Sequence, residues 1–264
     1  PSNCDTLLFD ATWAGSDGDV RARLVARVAP DLDDVPVFPR YDLTAQFETI
    51  AHVGRMTDVP VPTVRWNEPD PSILGAPFFV MNRVDGDVPP DVMPYNFGDN
   101  WLHDATPEQQ RRLQDATVSV IARLHDIDVS DTALSVLDDA LDPSTLGAPP
   151  FERLVAHTAA WYRYATAAGM RSAAVERAFA WLDDHMPRAD TTVLSWGDSR
   201  IGNVMYRDFE PVAVLDWEMA CRGPRELDVA WIVYAHQVFE DIAHTFGEQR
   251  NCLVHNQVAD GLGA

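Results

Sequence analysis

The hydrophobic pattern splits the chain into a strand-rich first part and a helical remainder. Thr6 to Trp13 alternates and is rich in β-formers. Gly15 and Gly18 supply turn residues, and Ala22 to Ala29 is a second strand, so this stretch predicts a hairpin. Asp42 is placed to cap a helix running to about Gly54, with Leu43, Phe47, Ile50 and Ala51 on one face. Val64 to Asn67 and Phe78 to Val84 predict two more strands around a proline-rich turn, and Asp85-Gly86-Asp87-Val88-Pro89-Pro90 reads as a connector. Beyond it, Thr106-Pro107-Glu108-Gln109 has the form of a capping box with proline at the first helical position. Leu113, Ala116, Thr117, Val120, Ile121 and Leu124 then recur at helical spacing. Phe151 to Thr166, Ala173 to His185 and Glu226 to Ala243 predict further helices, with Trp161 and Trp181 expected in the core. Val193 to Ser195, Val204 to Tyr206 and Val212 to Leu215 predict short strands that form a second hairpin.

Composition narrows the function classes. A chain of 264 residues with 46% hydrophobic content can bury a sizeable core. No run approaches the length of a membrane span, so no membrane partner is expected. No signal peptide is read, and because Pro1 is not a natural start, residues are expected to precede it; a cytoplasmic location is expected. The formal charge of −21 argues against a nucleic-acid partner. The acidic clusters Asp31, Asp33, Asp34 and Asp183, Asp184 read as solvated surface. All 20 basic residues are Arg, which excludes a Schiff-base Lys and a phosphate-loop Lys. Any cation meeting a phosphate must then be a guanidinium. Cys4, Cys221 and Cys252 lack metal-ligand spacing and read as reduced thiols, and His236 with His244 makes a weak metal pair.

The chemistry concentrates in Leu194-Ser195-Trp196-Gly197-Asp198-Ser199-Arg200-Ile201-Gly202-Asn203 and Val212-Ala213-Val214-Leu215-Asp216-Trp217-Glu218. A loop Asp, an Asn five positions on, and a later Asp closing an apolar run are the parts of a kinase-type phosphotransferase site. In that arrangement Asp198 accepts the proton of an acceptor hydroxyl, while Asn203 and Asp216 hold Mg²⁺. The other reading is a turn Asp, a helix-capping Asn and a strand-end Asp.

These motifs, with the order of the elements, resemble the aminoglycoside phosphotransferase family, most closely the subgroup of kinase-like domains fused to acyl-CoA dehydrogenases. The resemblance runs from about Thr6 to Phe239 and is sharpest from Trp196 to Trp231, including Gly223-Pro224-Arg225-Glu226-Leu227-Asp228. It implies an α+β, protein-kinase-like two-lobed fold. Residues 1–84 would form a small β-rich, nucleotide-binding N-lobe lacking its N-terminal part, and residues 85–264 a mostly helical C-lobe carrying the catalytic loop, metal and acceptor site. It also implies transfer of the γ-phosphoryl group of ATP or GTP, with Mg²⁺, to a small-molecule hydroxyl. Asp198 matches the catalytic Asp, and Asn203 and Asp216 the metal ligands. Arg27 falls where kinases place the Lys on the α/β-phosphates, Gln46 where its partner Glu sits, and Arg200 where a cation faces the transferred group. His125 is expected to be structural.

Four departures accompany the match. Trp196 replaces the loop His, and Arg27 with Gln46 could at most make a charge-assisted hydrogen bond. The strand and glycine-rich loop over the phosphates are absent or reduced to Pro1-Ser2-Asn3, and Asn251 to Ala264 lacks the family's helices. These leave a nucleotide-binding pseudokinase acting as an interaction module as the alternative. A metal-dependent phosphohydrolase is a third reading, opposed by the lack of an accompanying His or carboxylate cluster. The subgroup implies a hydroxyacyl thioester or similar hydroxyl compound as acceptor, and the family name an aminoglycoside.

Overall fold

A computed structural model describes residues 4–16, 18–31, 36–91, 95–130, 132–139, 145, 147–167, 169–187 and 191–247. Pro1 to Asn3, Asp33, Asp34, Cys252 and the segment from Asn251 to Ala264 lie outside the described residues.

The first hairpin forms as the alternation predicts. Strands β1 (Asp5–Gly15) and β2 (Gly18–Val28) pair antiparallel from Asp5↔Val28 to Gly15↔Gly18. With β3 (Val64–Glu68) and β4 (Phe78–Asn82) they make a four-stranded sheet in the order β1-β2-β4-β3. Leu24, Val25 and Ala26 of β2 are all buried, because this inner strand is covered on both faces. Strand β1 is an edge, and its Leu7 and Leu8 are 52% and 57% exposed. Helix α1 (Leu43–Met56) is capped by Asp42, whose carboxylate accepts from Ala45 N. Its buried face includes Leu43, Gln46, Ile50 and Val53, while Phe47 is half-buried and meets Phe79 edge-on.

The capping box is present at the start of α2 (Pro107–His125), whose buried face is Leu113, Thr117, Val120, Ile121 and Leu124. Short α3 (Val136–Asp139), then α4 (Pro150–Ala165) and α5 (Ala173–His185), lead to the motif region. There the expected single hairpin is not what forms. Strand β5 (Val193–Ser195) pairs with β8 (Cys221–Gly223), and β6 (Val204–Arg207) with β7 (Glu210–Val214). The turn at Asp208 and Phe209 closes β6 onto β7, leaving β5 to pair with the next extended segment. Helix α6 (Glu226–Thr245) ends the described chain. Trp161 is half-buried against Phe38, but Trp181 is exposed and stacks on His185, contrary to its expected core position.

One core joins the two parts, with Val25 and Phe79 from the sheet clustering with Leu124, Leu194, Trp196 and Val214. The cleft between the parts is crossed by the connector, where Asp87 and Tyr206 exchange backbone hydrogen bonds. Among the described residues no helix is long and apolar enough to cross a membrane.

Candidate active site

The motif residues converge where β5, β7 and α6 meet. Buried β5 ends at Ser195, and after Trp196 the chain turns sharply through Gly197, which has φ +90°. A Cβ at Gly197 would lie 2.1 Å from the Met219 carbonyl oxygen, so only glycine allows this approach. Asp198 follows at once, and a single 3₁₀ turn over Ile201–Asn203 returns Asn203 to it.

The Asp198 carboxylate is held by three side chains. Its Oδ1 accepts from Trp231 Nε1 at 2.6 Å and its Oδ2 from Asn203 Nδ2 at 2.6 Å. Arg200 Nε reaches both oxygens, at 3.2 and 3.1 Å. The Arg200 guanidinium is in turn tied to Asp91 beyond the connector. Asn203 Nδ2 also donates to the Asp198 carbonyl at 3.0 Å. Both of its partners are pure acceptors, so the amide nitrogen belongs on that side and Oδ1 on the other.

Asp216 sits two residues beyond the end of β7, which closes at Val214 and not at Leu215 as the apolar run suggested, and takes a left-handed φ of 58°. For a non-glycine residue that conformation is strained, and such strain clusters at functional positions. Burial pushes the Asp216 carboxyl pKa up, Arg27 pulls it partly back, and the Asp198 carboxylate raises it further. Arg27 lies on β2, with Nη2 at 3.4 Å from Asp216 Oδ1 and 3.8 Å from Glu218 Oε2. Gln46, on α1, lines the same cleft, but the carboxylates within reach of Arg27 are those of Asp216 and Glu218. Mg²⁺ fits this donor set: an amide oxygen and one strained, desolvated carboxylate are what a cation that keeps waters and phosphate ligands needs. No cluster of three or more His, Cys, Asp or Glu side chains able to hold a metal by themselves exists among the described residues.

The cleft itself holds about 310 Å³. Val25, Ile50, Phe79, Met81 and Met205 give it apolar walls, Arg83, Val84 and the first connector residues Asp85 and Gly86 border it, and Arg27 and Asp216 stand at its polar end. An apolar slot ending in a guanidinium and a carboxylate can take a flat heterocycle with a phosphate tail.

Sequence reasoning missed the residues that support the loop. Asp228, fully buried on α6, accepts from Trp196 N at 3.0 Å, Gly197 N at 2.9 Å and His125 Nε2 at 2.8 Å. Its carbonyl also accepts from Ser199 Oγ. His125 is therefore structural, as expected. Trp196 is fully buried, and its indole donates to the carbonyls of Leu215 and Asp216 at 2.9 and 3.2 Å. The residue in place of the loop His thus ties the Asp198 loop to the segment that carries Asp216. Asp91, Glu218 and Trp231 were not singled out as site residues. Glu218 and Trp231 lie inside the quoted segments, Trp231 one helical turn after Asp228, whereas Asp91 had no local signal.

Comparison with known proteins bears on family and fold. Residues 9–255 match the model of the phosphotransferase enzyme family. Acyl-CoA dehydrogenase family member 10 of Mus musculus is 31% identical over 180 residues, which cover 67% of this chain but 15% of that protein. Among solved structures, an aminoglycoside phosphotransferase APH(4)-Ia in ternary complex with ADP and hygromycin B superposes with a TM-score of 0.56 at 18% identity, covering 90% of this chain and 76% of that one. An aminoglycoside-3'-phosphotransferase of type VIII gives 0.54 at 17% identity, covering 89% and 78%. The chain therefore belongs to the phosphotransferase enzyme family and has its α+β, two-lobed, kinase-like fold.

Proposed function

We propose that this protein transfers the γ-phosphoryl group of ATP to a hydroxyl of a small molecule, with Mg²⁺. The observation that carries the reading is Arg27 paired with Asp216 at the polar end of the cleft, with Asp198, bonded to Asn203, close enough to raise the Asp216 pKa. Residues 1–84 supply most of the nucleotide slot, and residues 85–264 supply the base, the metal side chains and the acceptor side. Asn203 Oδ1 and the Asp216 carboxylate would hold Mg²⁺, which when bound neutralises phosphate charge. Arg27 steadies the α/β-phosphates. Asp198 orients the acceptor hydroxyl and takes its proton, and Arg200 offsets charge on the transferred group. Such transfer asks little of the protein beyond positioning and charge neutralisation.

The acceptor class is part of the proposal. The mouse relative is named an acyl-CoA dehydrogenase, and the neighbouring structure holds hygromycin B. We favour an acyl compound bearing a hydroxyl, with an aminoglycoside as the comparison.

Two variants test the assignment. Asp216→Ala should abolish Mg²⁺-dependent ATP binding in calorimetry, with GTP titrated in parallel. Asp198→Asn should keep nucleotide affinity within a few-fold and cut turnover by about two orders of magnitude. Wild-type Mg²⁺-ATP affinity in Asp216→Ala would remove the metal assignment. Absence of transfer by the wild type to any member of a hydroxylated-metabolite panel would leave the pseudokinase reading.

A further inference from the structure

The geometry points to Trp231 as the positioning residue of the proposed base, acting through its indole N–H on Asp198; we infer this on the reading that Asp198 accepts the acceptor's proton. Trp231 is half-buried on α6, and its Nε1 donates to Asp198 Oδ1 at 2.6 Å. An indole has one donor and needs one partner when it leaves water. Here that partner is the carboxylate at the centre of the site.

The placement follows from the helix. Residues 228 and 231 lie three apart, hence on one face of α6. Asp228 fixes the backbone of the loop through Trp196 N, Gly197 N and Ser199 Oγ. Trp231 fixes the side chain that the loop presents. Tyr234 packs against the indole with ring centroids 5.8 Å apart and 39° between planes, which limits its swing.

The two ends of the carboxylate have separate anchors. Asn203 holds Oδ2 and Trp231 holds Oδ1, while Arg200 Nε lies between them. Without the indole N–H, the carboxylate is free to turn about its Cβ–Cγ bond toward Arg200 and Asn203. A reacting group out of place by about 1 Å can cost about a hundredfold in rate. Losing a hydrogen bond to a charged group alone corresponds to about ten- to hundredfold. The effect should fall on kcat, because Trp231 does not line the nucleotide cleft.

The first test needs no activity. In ¹⁵N-labelled protein the Trp231 indole N–H resonance is assigned by its loss in Trp231→Phe, and it should move when Asp198→Ala removes its acceptor. The second test follows Mg²⁺-ATP hydrolysis with water as the acceptor. Trp231→Phe should lower kcat about tenfold or more while the KM for ATP stays within about threefold. Trp231→His, which keeps a ring N–H, should recover part of the loss. In an Asp198→Asn background Trp231→Phe should cost nothing further, because the indole acts through the carboxylate. An indole resonance unmoved by Asp198→Ala, or a Trp231→Phe loss kept in full in the Asp198→Asn background, overturns the proposal. If Trp231→Phe fails to fold, the Asp198→Ala shift and the Trp231→His kinetics decide it. A wild type that transfers phosphate neither to water nor to any member of the hydroxylated-metabolite panel defeats the reading of Asp198 as proton acceptor, and the positioning role with it, while the indole shift still reports the bond.

Discussion

At the scale of single residues, the site is built from groups that satisfy one another before any ligand arrives. Arg27 shows what this implies in a chain without Lys. Its guanidinium lies between Asp216 and Glu218, so it balances two carboxylates as well as facing the cleft. A guanidinium can do this because it presents several donors in one plane; an ammonium is a point charge. Arg27→Ala should weaken ATP binding in calorimetry and Arg27→Lys should restore it only in part, whereas unchanged affinity in both would place Arg27 outside the nucleotide contacts. Gly197 supports a second expectation. Its Cβ would collide with backbone, which cannot swing away, and its φ of +90° is one that side chains resist. Gly197→Ala should cost about 2 kcal/mol or more in chemical denaturation and distort the loop that presents Asp198; a loss within about 0.5 kcal/mol would show that the turn relaxes freely.

At the scale of elements, local rules were legible and long-range pairings were not. The capping box at Thr106 and Gln109 could be read because both partners lie within one turn. It should be worth about 1 kcal/mol, so Thr106→Ala should lower the melting temperature by a few degrees without touching activity. The hairpin of β1 and β2 was legible for the same reason of proximity. The partner of β5 was not: three short apolar strands in a row do not say which two pair, and β5 crosses to β8. The run before Asp216 was read as a strand to Leu215, one residue past the end of β7, and hydrophobicity does not reveal the positive φ of Asp216. Trp181 was assigned to the core because its helix is amphipathic, yet α5 has no buried residue at all. Asp198, Asn203 and Asp216 were visible as a spaced set, whereas Asp228 acts across 31 and 32 positions of chain and is visible only in three dimensions. An amide at Asp228 keeps one accepting oxygen and turns donors toward the N–H groups it should satisfy. Asp228→Asn should therefore lower the melting temperature by several degrees and reduce turnover together, and a variant losing only one of the two would separate loop support from fold support.

At the scale of the whole molecule, a chain with a formal charge of −21 gathers carboxylates in the cleft where it is proposed to bind a still more anionic nucleotide. Arg27 and Arg200 do not remove that difficulty, since each is already engaged by carboxylates. A divalent cation would. The Asp216 carboxyl records the imbalance: its pKa is raised, first by burial and then by Asp198, against the pull of Arg27. The sign of the consequence follows from linkage. A carboxyl whose folded pKa lies above its unfolded value binds its proton more tightly in the folded state, so ionising it lowers stability. That cost is absent below the unfolded pKa of about 3.8 and grows as pH rises to and through the folded value. Removing the charge should remove the cost. Asp216→Asn should raise the melting temperature of the ligand-free protein at pH 7, and the gain should shrink toward pH 4. Mg²⁺ with ATP should stabilise the wild type at pH 7 and do little for Asp216→Asn, because binding to the folded state alone raises its stability. Melting curves at the two pH values, with and without Mg²⁺-ATP, check both halves. If Asp216→Asn is destabilised at pH 7, or keeps the full Mg²⁺-ATP response, the carboxylate is not a charge held in readiness for a cation.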